Sequence, residues 1–330
     1  MPQSTPVVSI VIVSFNTREL LCECLNSAQH EAQSLEHEII VVDNASRDGS
    51  AEMVATKFPA ARLIRSDVNL GFAAANNRAF AVAQGRYVVL LNSDAFMRPG
   101  ALDLAVALME AHPHVGLGGA RLVGRDGGGQ PSARMFPSLL NDLLTLSGLA
   151  ARFPQSPFFG RVDRTWADPH EACAVDWAPG AFAILRRAVL DEIGAFDEDF
   201  FLYYEEVDLC RRIKQAGYTI WYWPQIEVVH YGGESSKTLK RLALSASGSQ
   251  LTLWRMRSAL LYYRKHHGAV SAWAAMQLET LWHRLRAWRN ARRVQADAEA
   301  KAQESLTIIQ LMQQAWRETA GGRRSPARPW

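Results

Sequence analysis

Over the first 230 residues, short apolar runs alternate with stretches of helical spacing. Residues 7–14 (VVSIVIVS) are an almost unbroken β-branched run, the pattern of a strand buried on both faces. A helix is predicted from Thr17, a candidate N-cap, to about Ala28. EIIVVD (38–43) predicts a second strand, and the turn-rich NASRDGS leads into a helix ending near Lys57. ARLIRS (61–66) predicts a short third strand, 71–84 an Ala-rich helix, and YVVLL (87–91) a fourth strand. Strands and helices recur about every 25 to 30 residues, which predicts right-handed βαβ crossovers and a parallel sheet.

The middle of the chain is less regular. Residues 116–137 hold GLGG, GRDGGG and two prolines, which predicts hairpins or a mobile loop, and 138–178 give no decisive pattern. GAFAILR (180–186) predicts a strand, followed by helices at 187–193 and 205–216 and strands at 218–223 and 226–230. Beyond residue 240 the periodicity is helical over 251–266, 270–293 and 300–319. The closing GGRRSPARPW, about ten residues, is expected to be disordered.

Composition adds limits. Of 330 residues, 48% are hydrophobic and 21% charged, as in globular rather than disordered proteins. This length suits about two domains and a core that needs no disulfide or structural metal. Cys22 and Cys24 form a lone C-x-C, while Cys173 and Cys210 stand apart. That spacing predicts neither a disulfide scaffold nor a zinc finger and suits a reducing compartment. The start, MPQSTPVVSIVIVSFN, lacks the cationic region of a signal peptide. Arg255 and Arg257 interrupt the most apolar late stretch, so no apolar run reaches the roughly 18 residues of a transmembrane helix. A cytoplasmic location is expected.

Charge divides the chain. From residue 240 onward there are 16 Lys/Arg against 5 Asp/Glu, and six of the ten tryptophans. An acidic body, residues 1–240, therefore precedes a basic, Trp-rich helical tail, 241–330. The body divides further into 1–112 and 113–240.

Ligands of open parallel α/β sheets bind beyond the carboxyl ends of the strands. Ser14-Phe15-Asn16, Asp43-Asn44 and Asn92-Ser93-Asp94 fall at three such ends. Any one of them could be a cap or turn residue; three polar endings on one rim point to a ligand site. No G-x-G-x-x-G follows the first strand, GGESSKT (232–238) lacks the P-loop glycine before Lys237, and neither H-E-x-x-H nor G-x-S-x-G occurs. Dinucleotide, P-loop, zincin and α/β-hydrolase sites are thereby disfavoured. Asp94 after an apolar strand suits Mg²⁺ or Mn²⁺ bridging a diphosphate, although it could instead cap the helix after Pro99. His230, closing WYWPQIEVVH, reads alone as a hydrogen-bonded strand end and beside Asp94 as a second metal ligand.

The densest acidic cluster holds Asp197, Glu198, Asp199, Glu205, Glu206 and Asp208. Acids at a helix start stabilise its dipole. Glu205-Glu206 directly after Tyr203-Tyr204 is also a setting for a general base. Asp208 has Arg211 and Arg212 at pairing distance along a helix. Neither glutamate has a basic residue at that spacing on its C-terminal side, and spacing does not choose between them.

VSIVIVSFN (8–16), IIVVDNASRDGS (39–50), NLGFAAANN (69–77), LLNSDAFMRPGAL (90–102), GAFAILRR (180–187), FDEDFFLYYEEVDLCRRIKQAGY (196–218) and VVHYGGESS (228–236) resemble the inverting family-2 glycosyltransferases, most of all their rhamnosyltransferase-like branch. The resemblance spans about residues 7 to 240, with the motifs in the family's order. It implies the GT-A fold, a Rossmann-like α/β architecture with a mostly parallel sheet flanked by helices, here followed by the C-terminal helical extension. It further implies a nucleotide-diphospho-sugar donor and a Mn²⁺ or Mg²⁺ cofactor. On that likeness Asp43 meets the pyrimidine base, Ser14 and Asn16 lie near the nucleoside, and Asn76 borders the donor. Asn92-Ser93-Asp94 stands at the D-x-D-like motif with Asp94 as metal ligand, His230 resembles a histidine that joins the metal in some members, and Glu206 occupies the general-base position. Glu205 and Asp208 are secondary candidates. Asn92 departs from an aspartate-first motif, and Glu206 replaces the commoner Asp.

The implied reaction is inverting transfer of a sugar, foremost L-rhamnose from dTDP-rhamnose, to a hydroxyl of a lipid-linked or polysaccharide acceptor in cell-surface glycan synthesis. A UDP-sugar donor (galactofuranose, galactose or N-acetylglucosamine) and a non-catalytic nucleotide-sugar- or glycan-binding protein are the alternatives. The tail lies outside the likeness. In 270–293 Trp273, Leu278, Leu281, Trp282, Leu285 and Trp288 recur at roughly helical spacing, with Arg284, Arg286, Arg289, Arg292 and Arg293 towards the end. Such a helix packs on the catalytic domain or on a second subunit of a homo-oligomer, or lies on an anionic membrane as a peripheral anchor at the inner face of the plasma membrane. No nucleic-acid module accompanies the arginines, and nucleic-acid binding is not expected.

Overall fold

The computed structural model describes residues 6–232, 249–293 and 297–326. The chain forms two compact units. The first comprises Met1–Phe136, Ala167–Glu198 and Glu205–Leu239, and the second Pro137–Trp166, Asp199–Tyr204 and Lys240–Trp330. The GGESSKT segment beyond Gly232 and the expected boundary at residue 240 lie outside the described residues.

The first unit is built on β1 (Val8–Ser14), β2 (His37–Asn44), β3 (Arg62–Ser66), β4 (Tyr87–Asn92), β5 (Ala95–Met97), β6 (Val115–Val123), β7 (Cys173–Val175), β8 (Phe182–Arg186) and β9 (Thr219–His230). Along the sheet the order is β3-β2-β1-β4-β8-β6-β9-β5, with β7 also paired to β9. β1, β2, β3, β4, β6 and β9 run in one direction, and β5, β7 and β8 run against them. Its helices are α1 (Arg18–Glu31), α2 (Ser50–Lys57), α3 (Gly71–Phe80), α4 (Ala101–Ala111), α7 (Arg187–Ile193) and α8 (Glu205–Gln215), with α5 and α6 assigned to the second unit.

The β-branched runs are buried on both faces, as their patterning requires. Ile10, Ile12, Val41, Val89 and Leu91 pack with Leu21 and Leu25 of α1 and Leu102 of α4. The alternate side chains Val11, Ile40, Val42, Val88 and Leu90 are buried as well. Each such side chain contributes about 1.5–3 kcal/mol on burial, which fixes strand register and so the level at which the polar strand ends emerge.

Three local expectations are corrected. Thr17 precedes α1 but its side chain makes no cap; the hydroxyl is drawn to Ser14 and Ser93 instead. The glycines of 116–119 form no hairpin but lie within β6. A Cβ at Gly118 would stand 2.0 Å from the Trp223 ring, and one at Gly119 2.4 Å from the Ala178 Cβ. They are small because buried side chains cross that strand. The two strands expected at 218–223 and 226–230 are one, β9. Its register against β6 jumps from Ala120↔Trp223 to Arg121↔Glu227, a bulge that takes in Pro224, which has no N–H for the ladder.

The second unit contains α5 (Leu139–Leu146), α6 (Leu149–Arg152), α9 (Ser249–Asn290) and α10 (Ala298–Glu318). Ser138 caps α5 by accepting from the Asn141 N–H. α9 breaks at Gly268 (φ 83°, ψ 177°) into arms at 249–267 and 269–290. Leu253, Met256 and Leu260 of the first arm form a core with Met312 and Ala315 of α10. The Tyr263 hydroxyl donates to Asp142 Oδ2 at 2.6 Å; burial pushes that carboxyl up to about 6. The stretch expected to be disordered begins with an ordered turn. Gly321 N–H donates to the Trp316 carbonyl, and a Cβ at Gly322 would stand 2.2 Å from the Leu260 carbonyl oxygen.

Candidate active site

Parallel register sets Ser14 beside Asp43, and Val13 beside Asn92. The three polar strand ends therefore form one rim, with strands about 4.8 Å apart. Behind it runs a buried hydroxyl chain: Ser14 Oγ lies 3.0 Å from Thr17 Oγ1, which donates to Ser93 Oγ at 2.9 Å. The Ser14 and Ser93 hydroxyls thus face Thr17 inside the protein. Asn16, in left-handed backbone (φ 53°), accepts the Arg47 N–H on Oδ1 at 2.7 Å, and its own N–H donates to Ser46 Oγ at 3.0 Å. These bonds tie the turn after β1 to the turn after β2.

Asp43 is held by one oxygen. Its Oδ2 accepts the Ser46 N–H at 3.2 Å, while buried Oδ1 has no hydrogen-bond partner among the described residues. Burial raises this carboxyl above the usual range against the opposing bonds from Ser46. An orphaned buried acceptor at a strand end is a place for a ligand N–H. The neighbouring Asn44 ties β2 to α3, donating to Asn69 Oδ1 and accepting the Leu70 N–H. On α3, buried Asn76 donates Nδ2 to the Phe72 carbonyl at 2.8 Å.

The end of β4 meets the end of β9 through β5. The antiparallel pair Ala95↔His230 sets His230 Nε2 3.5 Å from Asp94 Oδ1 and 3.4 Å from Asn92 Nδ2. The Tyr231 N–H donates to the Asp94 carbonyl at 3.0 Å and closes this corner. Gln130 fixes the ring. Its Nε2 donates to the His230 carbonyl at 2.8 Å, and its Oε1 lies 2.9 Å from His230 Nδ1. A backbone carbonyl only accepts, so the amide NH₂ faces it and the amide oxygen faces the ring. His230 Nδ1 must then carry the proton, and in the neutral ring Nε2 turns a lone pair towards Asn92 and Asp94.

His230 Nε2 and Asp94 Oδ1, 3.5 Å apart, suit adjacent positions on one Mn²⁺ or Mg²⁺, whose ligands sit at roughly 2.1 Å. Among the described residues no cluster of three His, Cys, Asp or Glu side chains could hold a metal. A cation held here would need further ligands from substrate oxygens or water, as Mg²⁺ commonly does.

A second acidic group occupies the first turn of α8. The chain enters it through Tyr203 and Tyr204, both left-handed (φ 70° and 69°), a costly conformation for bulky residues. Glu205 is buried and Glu206 half-buried, and each has one buried carboxylate oxygen without a hydrogen-bond partner among the described residues. Burial and the adjacent Glu206 charge hold Glu205 well above the usual carboxylate range. Burial also raises Glu206, against the pull of the Arg134 guanidinium. Asp208 is tied down differently. Its Oδ2 accepts from Arg212 Nε at 2.9 Å, and the same guanidinium donates to the carbonyls of Ile193, Gly194 and Ala195. That bridge secures α8 to the turn after α7.

Residues 9–194 match the profile of glycosyl transferase family 2. The chain belongs to that family. This family-2 glycosyltransferase is 30% identical over 209 residues to the N-acetylglucosaminyl-diphospho-decaprenol L-rhamnosyltransferase of Mycobacterium tuberculosis, covering 60% of the chain and 67% of the relative. It is 28% identical over 88 residues to rhamnosyltransferase WbbL of Escherichia coli, covering 27% and 30%. The mannosyltransferase PcManGT from Pyrobaculum calidifontis, solved with GDP-Man and Mn²⁺, has the same fold at a TM-score of 0.54 and 19% identity, over 95% of this chain and 88% of that one. The expected GT-A fold and the rhamnosyltransferase-type membership are thus borne out.

Sequence reasoning missed Gln130, Thr17 and Arg134. Gln130 sits in the Gly-rich loop before Pro131, where no motif marks it. Thr17 was read as a cap, and Arg134 is connected to Glu206 only through the fold.

Proposed function

We propose that this glycosyltransferase transfers L-rhamnose from dTDP-rhamnose to a hydroxyl of a lipid-linked or polysaccharide acceptor, inverting the anomeric carbon. The observation that carries the donor assignment is the buried, unpartnered Asp43 Oδ1 on the same rim as Asp94 and His230. A pyrimidine base offers an imide N–H to such an oxygen, and the diphosphate extends from the nucleoside along the rim. The rhamnosyltransferase names of two relatives favour rhamnose as the sugar.

Asp43 accepts the base N–H and sets the nucleoside at the end of β2. Asp94 and His230, with Gln130 keeping the His230 Nε2 lone pair available, would hold a divalent cation. Bound there, such a cation would supply charge neutralisation for the leaving diphosphate. Glu206 accepts the acceptor's hydroxyl proton while that oxygen forms its bond to the anomeric carbon and the bond to the diphosphate breaks. One displacement, with dTDP leaving from the opposite face, inverts the centre. Glu206 is the more accessible of the paired glutamates, and its raised pKa brings its basicity closer to neutral pH.

The test is Glu206→Gln. Transfer should fall 10²- to 10⁴-fold, roughly the loss typical of a general base, while dTDP-rhamnose binding by calorimetry stays within about twofold of wild type. Near-normal turnover would remove Glu206 from the mechanism.

A further inference from the structure

The second arm of α9 keeps most of its large apolar side chains off the protein. The face it turns inward carries Met276, packed on the core shared with α10, among small or polar residues, Ala272, Thr280, His283, Ala287 and Asn290, all buried. The opposite face carries Val270, Trp273, Leu281, Leu285 and Trp288, which are 51% to 78% exposed. At 3.6 residues per turn these five side chains fall within roughly 120° of the circumference and along about 27 Å of helix. A domain that covers its core in the ordinary way places the large apolar side chains inward. A continuous exposed stripe of this kind marks an interaction surface.

Charge identifies the partner. Arg284, Arg289, Arg292 and Arg293 are exposed around the stripe, and the Arg292 guanidinium lies 3.9 Å over the Trp288 ring. The single acid in 270–293 is Glu279, whose carboxylate is bridged to Arg255. Arg286 is turned to Glu304 of α10 at 2.8 Å. A second copy docked on this stripe would bring two sets of arginines together with little acid between them. An anionic surface meets every one of them. Tryptophan at either end of a leucine centre is also the order that suits a headgroup–acyl boundary. No helix of the described residues is long and apolar enough to cross a membrane, which leaves lying flat as the mode of contact for this arm.

We propose that the 269–290 arm docks this glycosyltransferase on an anionic phospholipid bilayer. Leu281 and Leu285 enter the acyl boundary, Trp273 and Trp288 sit among the headgroups, and Arg284, Arg289, Arg292 and Arg293 meet lipid phosphates. The inference rests on this arm alone and holds whichever sugar donor is used.

The test is co-sedimentation of the full-length chain with vesicles of phosphatidylcholine, with and without phosphatidylglycerol. Wild type should pellet with the anionic vesicles, less so as salt rises, and stay in the supernatant with phosphatidylcholine alone. The combined variant Trp273→Ser, Leu285→Ser, Trp288→Ser should bind roughly 100-fold more weakly. Its exposed positions should leave thermal unfolding and donor binding unchanged. Arg284→Gln, Arg289→Gln, Arg292→Gln should lose roughly 10- to 100-fold on anionic vesicles. Equal pelleting of wild type and the apolar variant would overturn the proposal. So would a wild-type dimer in solution that the apolar variant turns into a monomer without change in lipid binding.

Discussion

At the end of β4, Asp94 meets a histidine whose tautomer is fixed from behind; at the start of α8, Glu205 is buried beside another acid. Both sites take carboxylates out of water, and the difference lies in what surrounds them. The rim is assembled by strand register, with Ala95 opposite His230, and its groups satisfy one another through Gln130 and Asn92. The α8 pair is created by adjacency, and one oxygen of each glutamate has no hydrogen-bond partner among the described residues. A satisfied, oriented pair suits holding a cation. A strained pair with raised pKa values suits taking a proton.

The sharpest break of that contrast is between the two glutamates. Glu206→Gln should cost the 10²- to 10⁴-fold given above, whereas Glu205→Gln should keep activity within roughly 10-fold of wild type. The wild-type rate should fall as pH drops through the raised Glu206 pKa, because only the carboxylate accepts a proton; a profile flat across that range would argue against it. Stability runs the other way. A buried acid whose folded pKa lies above its unfolded one is favourable below the unfolded pKa and loses that advantage as pH rises through the folded value. Glu205→Gln should therefore raise neutral-pH stability by about 1–3 kcal/mol, read by denaturant titration.

On the rim, Asp94→Ala should abolish metal stimulation and lower transfer roughly 10²- to 10³-fold, seen by assaying with Mn²⁺ and then with EDTA. An active, metal-indifferent variant would contradict the pairing with His230. Asp43→Asn, which turns part of an acceptor into a donor, should weaken dTDP-rhamnose binding roughly 10- to 100-fold with little change in single-turnover rate at saturation. The smallest effect belongs to Gln130→Ala. It should weaken Mn²⁺ binding about 10-fold, and ¹⁵N NMR of the metal-free protein should show His230 no longer confined to the Nδ1–H form. An unchanged tautomer would assign Gln130 a structural part only.

Much of this was legible in the chain itself. The strands that carry Ser14, Asp43 and Asn92 announce themselves as β-branched runs with polar ends, because burial on both faces leaves them little other composition. Asp94 and His230 were each visible, but their meeting depends on a three-residue strand after Asp94, too short to leave a periodic signal. The choice between Glu205 and Glu206 turns on which one the packing covers, a tertiary property. The stripe of 270–293 was readable as amphipathic, yet periodicity does not say which face the protein keeps. In the structure the small residues and Met276 went inward, and Trp273 and Trp288 out. The glycines of β6 misled for a related reason: Gly118 serves Trp223, more than a hundred residues away in sequence, and Gly119 serves Ala178, rather than a turn.

The most direct measurement is release of the nucleotide diphosphate from a donor panel by the purified full-length protein, with Mn²⁺ and then with EDTA. The panel holds dTDP-rhamnose, UDP-galactofuranose, UDP-galactose, UDP-glucose and UDP-N-acetylglucosamine, each supplied with a lipid-linked sugar acceptor. The account predicts dTDP release from dTDP-rhamnose alone, with rhamnose appearing on the acceptor in inverted configuration and both stopping on chelation. Turnover of a UDP-sugar instead, or rhamnose transfer indifferent to EDTA, would contradict it.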